Sequence, residues 1–199
     1  MTLTTYKDHQ ELFANCNGYW DLRNNTLPIT GTVSGTITGS VVTPDRFGVA
    51  NRAYLFDGTD DKITMGNTAV SIKSLLVWVK LSSTTQSILK LTDTPHTITV
   101  SSGTLTASGW PATVVLYVNG ASGSTVDTNW ALIGITTSGD AFAASNLILG
   151  YDGSSYLNGL IGEILTFSTQ LSAVEMKTFY NLMSKYTLYP LIASPRGQE

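Results

Sequence analysis

Asp45-Arg46-Phe47-Gly48, followed closely by Ala53-Tyr54-Leu55-Phe56-Asp57-Gly58-Thr59-Asp60-Asp61-Lys62-Ile63, is the stretch that decides the fold. Phe47 and Gly48 close a loop, and Ala53 to Phe56 has the aromatic and aliphatic content of a short strand. Asp57-Gly58 is a tight-turn pair, so Ile63 to Met65 is expected to return as the second arm of a hairpin. Working outward, Leu75, Val77, Val79 and Leu81 share one face of a strand, with Leu76 and Trp78 on the other. Both faces are apolar, which predicts a central strand packed on two sides.

Further strands follow at close spacing. Ser87 to Leu91, Thr97 to Ser101 and Thr104 to Ala107 read as a meander, turned by Asp93, Pro95 and Ser102-Gly103. Val114 to Val118 ends in Asn119-Gly120, a type I′ pair. Trp130 to Thr136 and Leu147 to Leu149 supply two more strands, and Gly18 to Leu22 an early one. One helix is expected. Ser172 with Glu175 makes a capping box, Val174, Phe179, Leu182 and Met183 follow helical spacing, and Lys185 suits its C-terminal dipole. The prediction is an all-β, two-sheet antiparallel jelly-roll sandwich with one short C-terminal helix.

The order of these segments resembles the laminin-G-like, concanavalin A-like family. There a D-R-F-G segment precedes an x-Y-x-F-D-G-x-D-D-x-I hairpin. Tyr156-Leu157-Asn158-Gly159-Leu160-Ile161-Gly162-Glu163-Ile164-Leu165-Thr166-Phe167 is similar to that family's closing strand, and Leu171-Ser172-Ala173-Val174-Glu175-Met176 to its helix start. The resemblance covers residues 12–186, which are expected to form the domain, between an N-terminal arm (1–11) and an apolar C-terminal tail (187–199). It implies a scaffold that usually binds and only sometimes catalyses.

Composition narrows the function. Of 199 residues, 42% are hydrophobic and 13% charged, with a net charge of -3. The surface must therefore be rich in Ser, Thr, Asn and Gly, and disorder is disfavoured. Lys and Arg are scattered, which disfavours nucleic acid and anionic membranes as partners. No stretch has the length of a membrane span, and the first ten residues lack a secretory pattern. Cys16 is the only cysteine and reads as a small buried side chain.

The chemistry on offer is that of binding. Sugar-hydrolysing relatives carry an E-x-D-x-E strand that brings two carboxylates to one face. Here Glu11, Glu163, Glu175 and Glu199 are all isolated, and Glu163 reads as a strand carboxylate bonded to amides or to an Arg. Asp57, Asp60 and Asp61 form a candidate calcium site, with Asp21 or Asp152 as completing ligands; the alternative is that they cap their own turn. Trp110, Tyr151, Asp152 and Tyr156 are the candidate sugar-binding residues, offering aromatic faces beside polar groups; packing over a sandwich edge is the alternative. His9 and His96 have no partner at zinc-ligand spacing. The expectation is a non-enzymatic adhesion module with lectin-like capacity for glycan or protein partners. Its expected settings are a virion surface, as a decoration or fibre component, or other extracellular display, within a homo-oligomer or larger assembly. A soluble or cell-surface carbohydrate-binding lectin is the first alternative and a divergent glycoside hydrolase the second.

Overall fold

The computed structural model describes residues 12–31, 33–93 and 96–186. Sixteen strands run in chain order: β1 Cys16–Trp20, β2 Thr36–Thr38, β3 Val41–Thr43, β4 Ala53–Asp57, β5 Lys62–Gly66, β6 Ser71–Ile72, β7 Ser74–Leu81 and β8 Gln86–Lys90; then β9 Thr97–Ser101, β10 Thr104–Ser108, β11 Val114–Val118, β12 Ala121–Ser122, β13 Trp130–Thr137, β14 Phe142–Ala143, β15 Leu147–Leu149 and β16 Asn158–Phe167. A helix near the C-terminal end of the described residues, α1, spans Ala173–Met183. An eight-stranded sheet has the order β12-β11-β13-β7-β16-β4-β3, with β1 also on β16, and a six-stranded sheet has the order β10-β9-β8-β15-β5-β2. Every pairing among the described residues is antiparallel. The molecule is the predicted two-sheet sandwich.

The core between the sheets takes Val77, Val79, Ile133, Ile161 and Phe56 from the larger sheet and Ile63, Ile88, Leu89, Ile98 and Leu149 from the smaller. A second cluster lies outside the larger sheet. There Met176, Phe179, Leu182 and Met183 of α1 pack on Tyr19, Leu76, Trp78, Leu132, Leu165 and Phe167. This explains why β7 is apolar on both faces: one meets the opposite sheet and the other meets the helix. Ser172 caps α1 in a full capping box with Glu175. Asn119 and Gly120 both have positive φ, as a type I′ turn demands. A Cβ at Gly120 would fall 2.7 Å from Tyr180 Cβ, so this turn also seats the helix.

Four expectations need correction. Residues 53–65 are not a hairpin: β4 pairs with β3 and β16 in one sheet, and β5 with β2 and β15 in the other. The Asp57–Asp61 segment carries the chain across the sandwich edge, because Phe56 and Ile63 must both reach the core from opposite layers. Val174 is 62% exposed, and Met176 takes the buried position instead. Lys185 lies beyond the last helical turn, which contains no basic residue, and Arg46 supplies the cation at that end. The first strand ends at Trp20, and Leu22 is buried in a left-handed conformation beyond it. The expected arm and tail, residues 1–11 and 187–199, lie outside the described residues.

Candidate binding face and structural ion pair

The outer face of the six-stranded sheet is built largely from short polar side chains. One row crosses all six strands in register: Thr36, Thr64, Ile148, Lys90, Thr97 and Ser108. A second links Ser87, Thr99 and Thr106. These positions alternate with the core residues of the same strands, as the two-residue period requires.

The loop after β15 is folded onto this face. Tyr151 and Tyr156 form an isolated antiparallel bridge, and their rings lie 4.6 Å apart, both half-buried. The Tyr151 hydroxyl donates to the Gly153 carbonyl at 2.6 Å. Lys62 Nζ lies 5.7 Å from the Tyr151 ring centre. Asp152 organises the loop: its Oδ1 accepts from the amides of Ser154 (2.8 Å) and Ser155 (2.9 Å), and its Oδ2 from the Ser87 hydroxyl (2.7 Å). Burial opposes the charge on Asp152, but these donors outweigh it and hold the carboxyl below its ordinary range. An open depression of about 390 Å³ lies beside the loop, lined by Lys90, Thr92, Asp93, Thr97, Asp152, Gly153 and Ser154.

Three of the four expected sugar-binding residues, Tyr151, Asp152 and Tyr156, therefore share one loop, but only Asp152 lines the depression; Tyr151 and Tyr156 stack on each other in the same loop, with Lys62 against the Tyr151 ring. Trp110 does not join them. It is 7% exposed, belongs to the inter-sheet core, and meets the Phe142 ring edge-on at 5.0 Å. Its apolar bulk plugs the end of the sandwich beside His96, which stacks on Phe142 at 4.2 Å. No face of Trp110 is left for a sugar. Sequence reasoning missed Lys90, Thr92, Asp93 and Thr97, since only the register of β8 on β9 brings them to Asp152.

Asp57, Asp60 and Asp61 offer carboxylate oxygens that all lie within 4.8 Å of one another. Asp61 is buried, and its Oδ2 accepts from the Asp57 amide at 2.9 Å, while Asp57 Oδ1 accepts from the Thr59 amide at 2.7 Å. Burial, and then the charges of Asp57 and Asp60, push the Asp61 carboxyl above its ordinary range despite that amide. Calcium takes about six to eight oxygens, so these three form part of a shell whose charge a cation would relieve. The expected completing residues are engaged elsewhere: Asp21 is ion-paired to Arg23, and Asp152 holds its own loop.

Glu163 has a structural task. A bulge between Ile161 and Ile164 places both isoleucines in the core and turns Glu163 to the outer face of the larger sheet. Its Oε2 lies 2.8 Å from Arg46 Nη2, and its Oε1 accepts from the Tyr19 hydroxyl at 3.3 Å. Arg46 also donates to the Met183 carbonyl through Nε (3.1 Å) and Nη2 (2.7 Å), closing the end of α1. Its guanidinium lies over Trp78 and Phe47, at 4.4 and 4.5 Å from their ring centres. The arginine is held there by Asp45, whose Oδ1 accepts from the amides of Phe47 and Val49, with Gly48 at positive φ completing the turn. The Asp45-Arg46-Phe47-Gly48 segment is thus a clamp joining loop, helix and strand. Burial, and then the Glu163 charge, raises the Tyr19 phenol. Burial pushes the Cys16 thiol up to about 12, which removes thiolate chemistry at neutral pH.

The fold recurs in known structures. Domain 4 of AbnA, an extracellular arabinanase from Geobacillus stearothermophilus solved with arabinotriose, superposes with a TM-score of 0.57 at 17% identity, over 83% of this chain and 98% of that domain. The binding domain of botulinum neurotoxin serotype D gives 0.54 at 12% identity, over 84% of this chain and 51% of its own. Trypanosoma rangeli sialidase bound to the inhibitor DANA gives 0.54 at 13% identity, over 84% and 33%. The chain thus spans nearly all of the arabinanase domain, about half of the toxin domain and a third of the sialidase. No family model and no curated protein matches it. At these identities the likeness is one of fold, a β-sandwich, and nothing finer.

Proposed function

We propose that the chain is a non-catalytic adhesion module that binds glycan on the outer face of its six-stranded sheet, at the loop of residues 151–156. The observation that carries this reading is the depression itself. Hydroxyls, carboxylates and one ammonium line it, and the loop that supplies Asp152 also carries two half-exposed tyrosines, on a face made largely of threonine and serine. Sugar hydroxyls need donors and acceptors, and the apolar side of a pyranose needs a ring face. Two carboxylates against one lysine favour a neutral sugar over an acidic one.

Catalysis is not part of the proposal. A glycosidase needs a protonated acid with a raised pKa beside a free carboxylate. Asp152 is held ionised, Asp93 accepts from Asn146, and Glu163 is 4% exposed behind Arg46. Asp61 does have a raised carboxyl beside Asp57 and Asp60, but it is buried, accepts from the Asp57 amide and lies outside the depression. Calcium, if bound, belongs at Asp57, Asp60 and Asp61, where it would tie the crossing segment to the loop between β2 and β3. A Cβ on Gly39 would fall only 1.8 Å from Asp61 Oδ1 there. We also propose display on a virion or cell surface, supported by the sparse charge and hydroxyl-rich exterior.

The test is a glycan array probed with the purified chain, followed by titration of arabinotriose and of a sialylated trisaccharide. Binding of a neutral glycan that is lost in Tyr151→Ala supports the reading. Absence of any glycan ligand overturns it, and steady release of sugar would restore the hydrolase alternative.

A further inference from the structure

The two sides of the sandwich are finished differently. On one side, residues 121–126 run from β12, the last strand of the larger sheet, onto β10, the last strand of the smaller. The Leu105 amide donates to the Ser124 carbonyl at 2.7 Å, the Val126 amide to the Gly103 carbonyl at 2.9 Å, and Thr104 bridges Thr125. That side is closed. The other side ends on β2 and β3, and among the described residues no further segment pairs along either. Alternate residues of an edge strand point their amide and carbonyl away from the sheet. This side therefore offers two short ladders, one in each layer, about 10 Å apart.

The exposed apolar side chains gather on this open side. Of the eight large ones among the described residues, five lie between positions 37 and 55: Ile37 on β2, Val41 on β3, Leu55 on β4, and Phe47 and Val49 in the loop joining β3 to β4. Each is between 40% and 59% exposed, and such clustering marks a contact surface. Residues 24–44, which include both edge strands, contain no charged side chain. Sheet edges that must stay apart commonly carry lysine or another charge. These edges carry none.

Self-complementarity selects the occupant. A two-fold contact sets a patch against itself, so a charged edge repels its copy and an uncharged one does not. Three residues per strand are too few to template an open stack, but β2 and β3 together reach one partner in both layers. We propose that a second copy of this chain docks here, β3 beside β3 and β2 beside β2, in a closed two-fold dimer whose sheets run on across the contact. An axis perpendicular to the sheets leaves both six-stranded sheets facing the same way. The two 151–156 loops then meet one glycan-bearing surface together, and the dimer gains avidity that a single loop lacks. That consequence rests on the glycan reading; the dimer itself does not.

The experiment is analytical ultracentrifugation of the full chain over a wide concentration range, without glycan. The expected mass is twice that of the chain. Ile37→Lys combined with Val41→Lys sets a lysine on each edge at exposed positions, and should halve the mass while the far-UV circular dichroism stays unchanged. Val174→Lys, at an exposed position on α1, should leave the dimer intact. A monomer at the highest concentration reached overturns the proposal and leaves the edge to a different protein. A dimer that survives the paired lysines, or one that Val174→Lys dissociates, puts the contact elsewhere and overturns it too. Hydrogen exchange on the unaltered chain gives an independent reading: amides of residues 36–43 should gain protection as concentration rises, and exchange there that ignores concentration contradicts the dimer. No glycan enters either measurement, so failure of the dimer and failure of glycan binding are told apart.

Discussion

The two outer faces of this sandwich contrast in a way that separates stability from recognition. Behind the larger sheet, Leu76, Trp78, Leu132, Leu165 and Phe167 meet the helix in a dry layer closed by a buried Arg46–Glu163 pair. Outside the smaller sheet, Thr36, Thr64, Lys90, Thr97 and Ser108 carry a folded loop and an open depression. Both faces obey the same two-residue alternation, but one excludes water and the other solvates it. The side that hides its charge is the scaffold; the side that spreads hydroxyls is where a ligand can land.

Removing one half of the clamp should test this contrast most severely. Glu163→Ala strands a buried guanidinium and Arg46→Ala strands a buried carboxylate, so each should cost about 3–5 kcal/mol in chemical denaturation. The double change to Met at both positions should cost much less than the sum of the single changes, because it leaves no unpaired charge. Phe179→Ala, in the helix layer, should cost about 3–5 kcal/mol by the same measurement. Ser172→Ala, losing the helix cap, should cost about 1 kcal/mol.

Substitutions on the other face should do the reverse. Tyr151→Ala should abolish glycan binding by calorimetry while leaving the melting curve nearly unchanged. Thr99→Val or Thr64→Val should alter stability by no more than about 0.5 kcal/mol. Acid gives a further distinction. Because Asp152 is held below the ordinary carboxyl range, interactions of its ionised form persist through that range and are lost only as pH falls through its lowered folded-state pKa. Glycan affinity that declines well above pH 4 would show that another group carries the site.

Much of the architecture was legible because periodicity is local. The double-sided apolar pattern of residues 75–81, the Asn119-Gly120 turn and the Ser172–Glu175 box each announce themselves within a few residues. What escaped is non-local. Whether Asp57-Gly58 turns within one sheet or crosses between two depends on partners far along the chain, so the tight-turn pair by itself predicts a hairpin that does not form. Trp110 sits in a loop-like Ser-Gly-Trp-Pro context that says nothing of Phe142 and His96 beneath it. The Arg46–Glu163 pair spans 117 positions, and no spacing rule links its ends. Of the depression's lining, the sequence singles out only Asp152; its Lys90 and Thr97 wall exists only through strand register.

The most direct test is to add a neutral oligosaccharide, arabinotriose first and then the best array ligand, to isotope-labelled protein and follow each backbone amide by NMR. The account predicts shifts clustered on Lys90, Thr97 and residues 151–156, with the helix and β3–β4 unmoved. Shifts centred on the helical face, or none at saturating sugar, would contradict it.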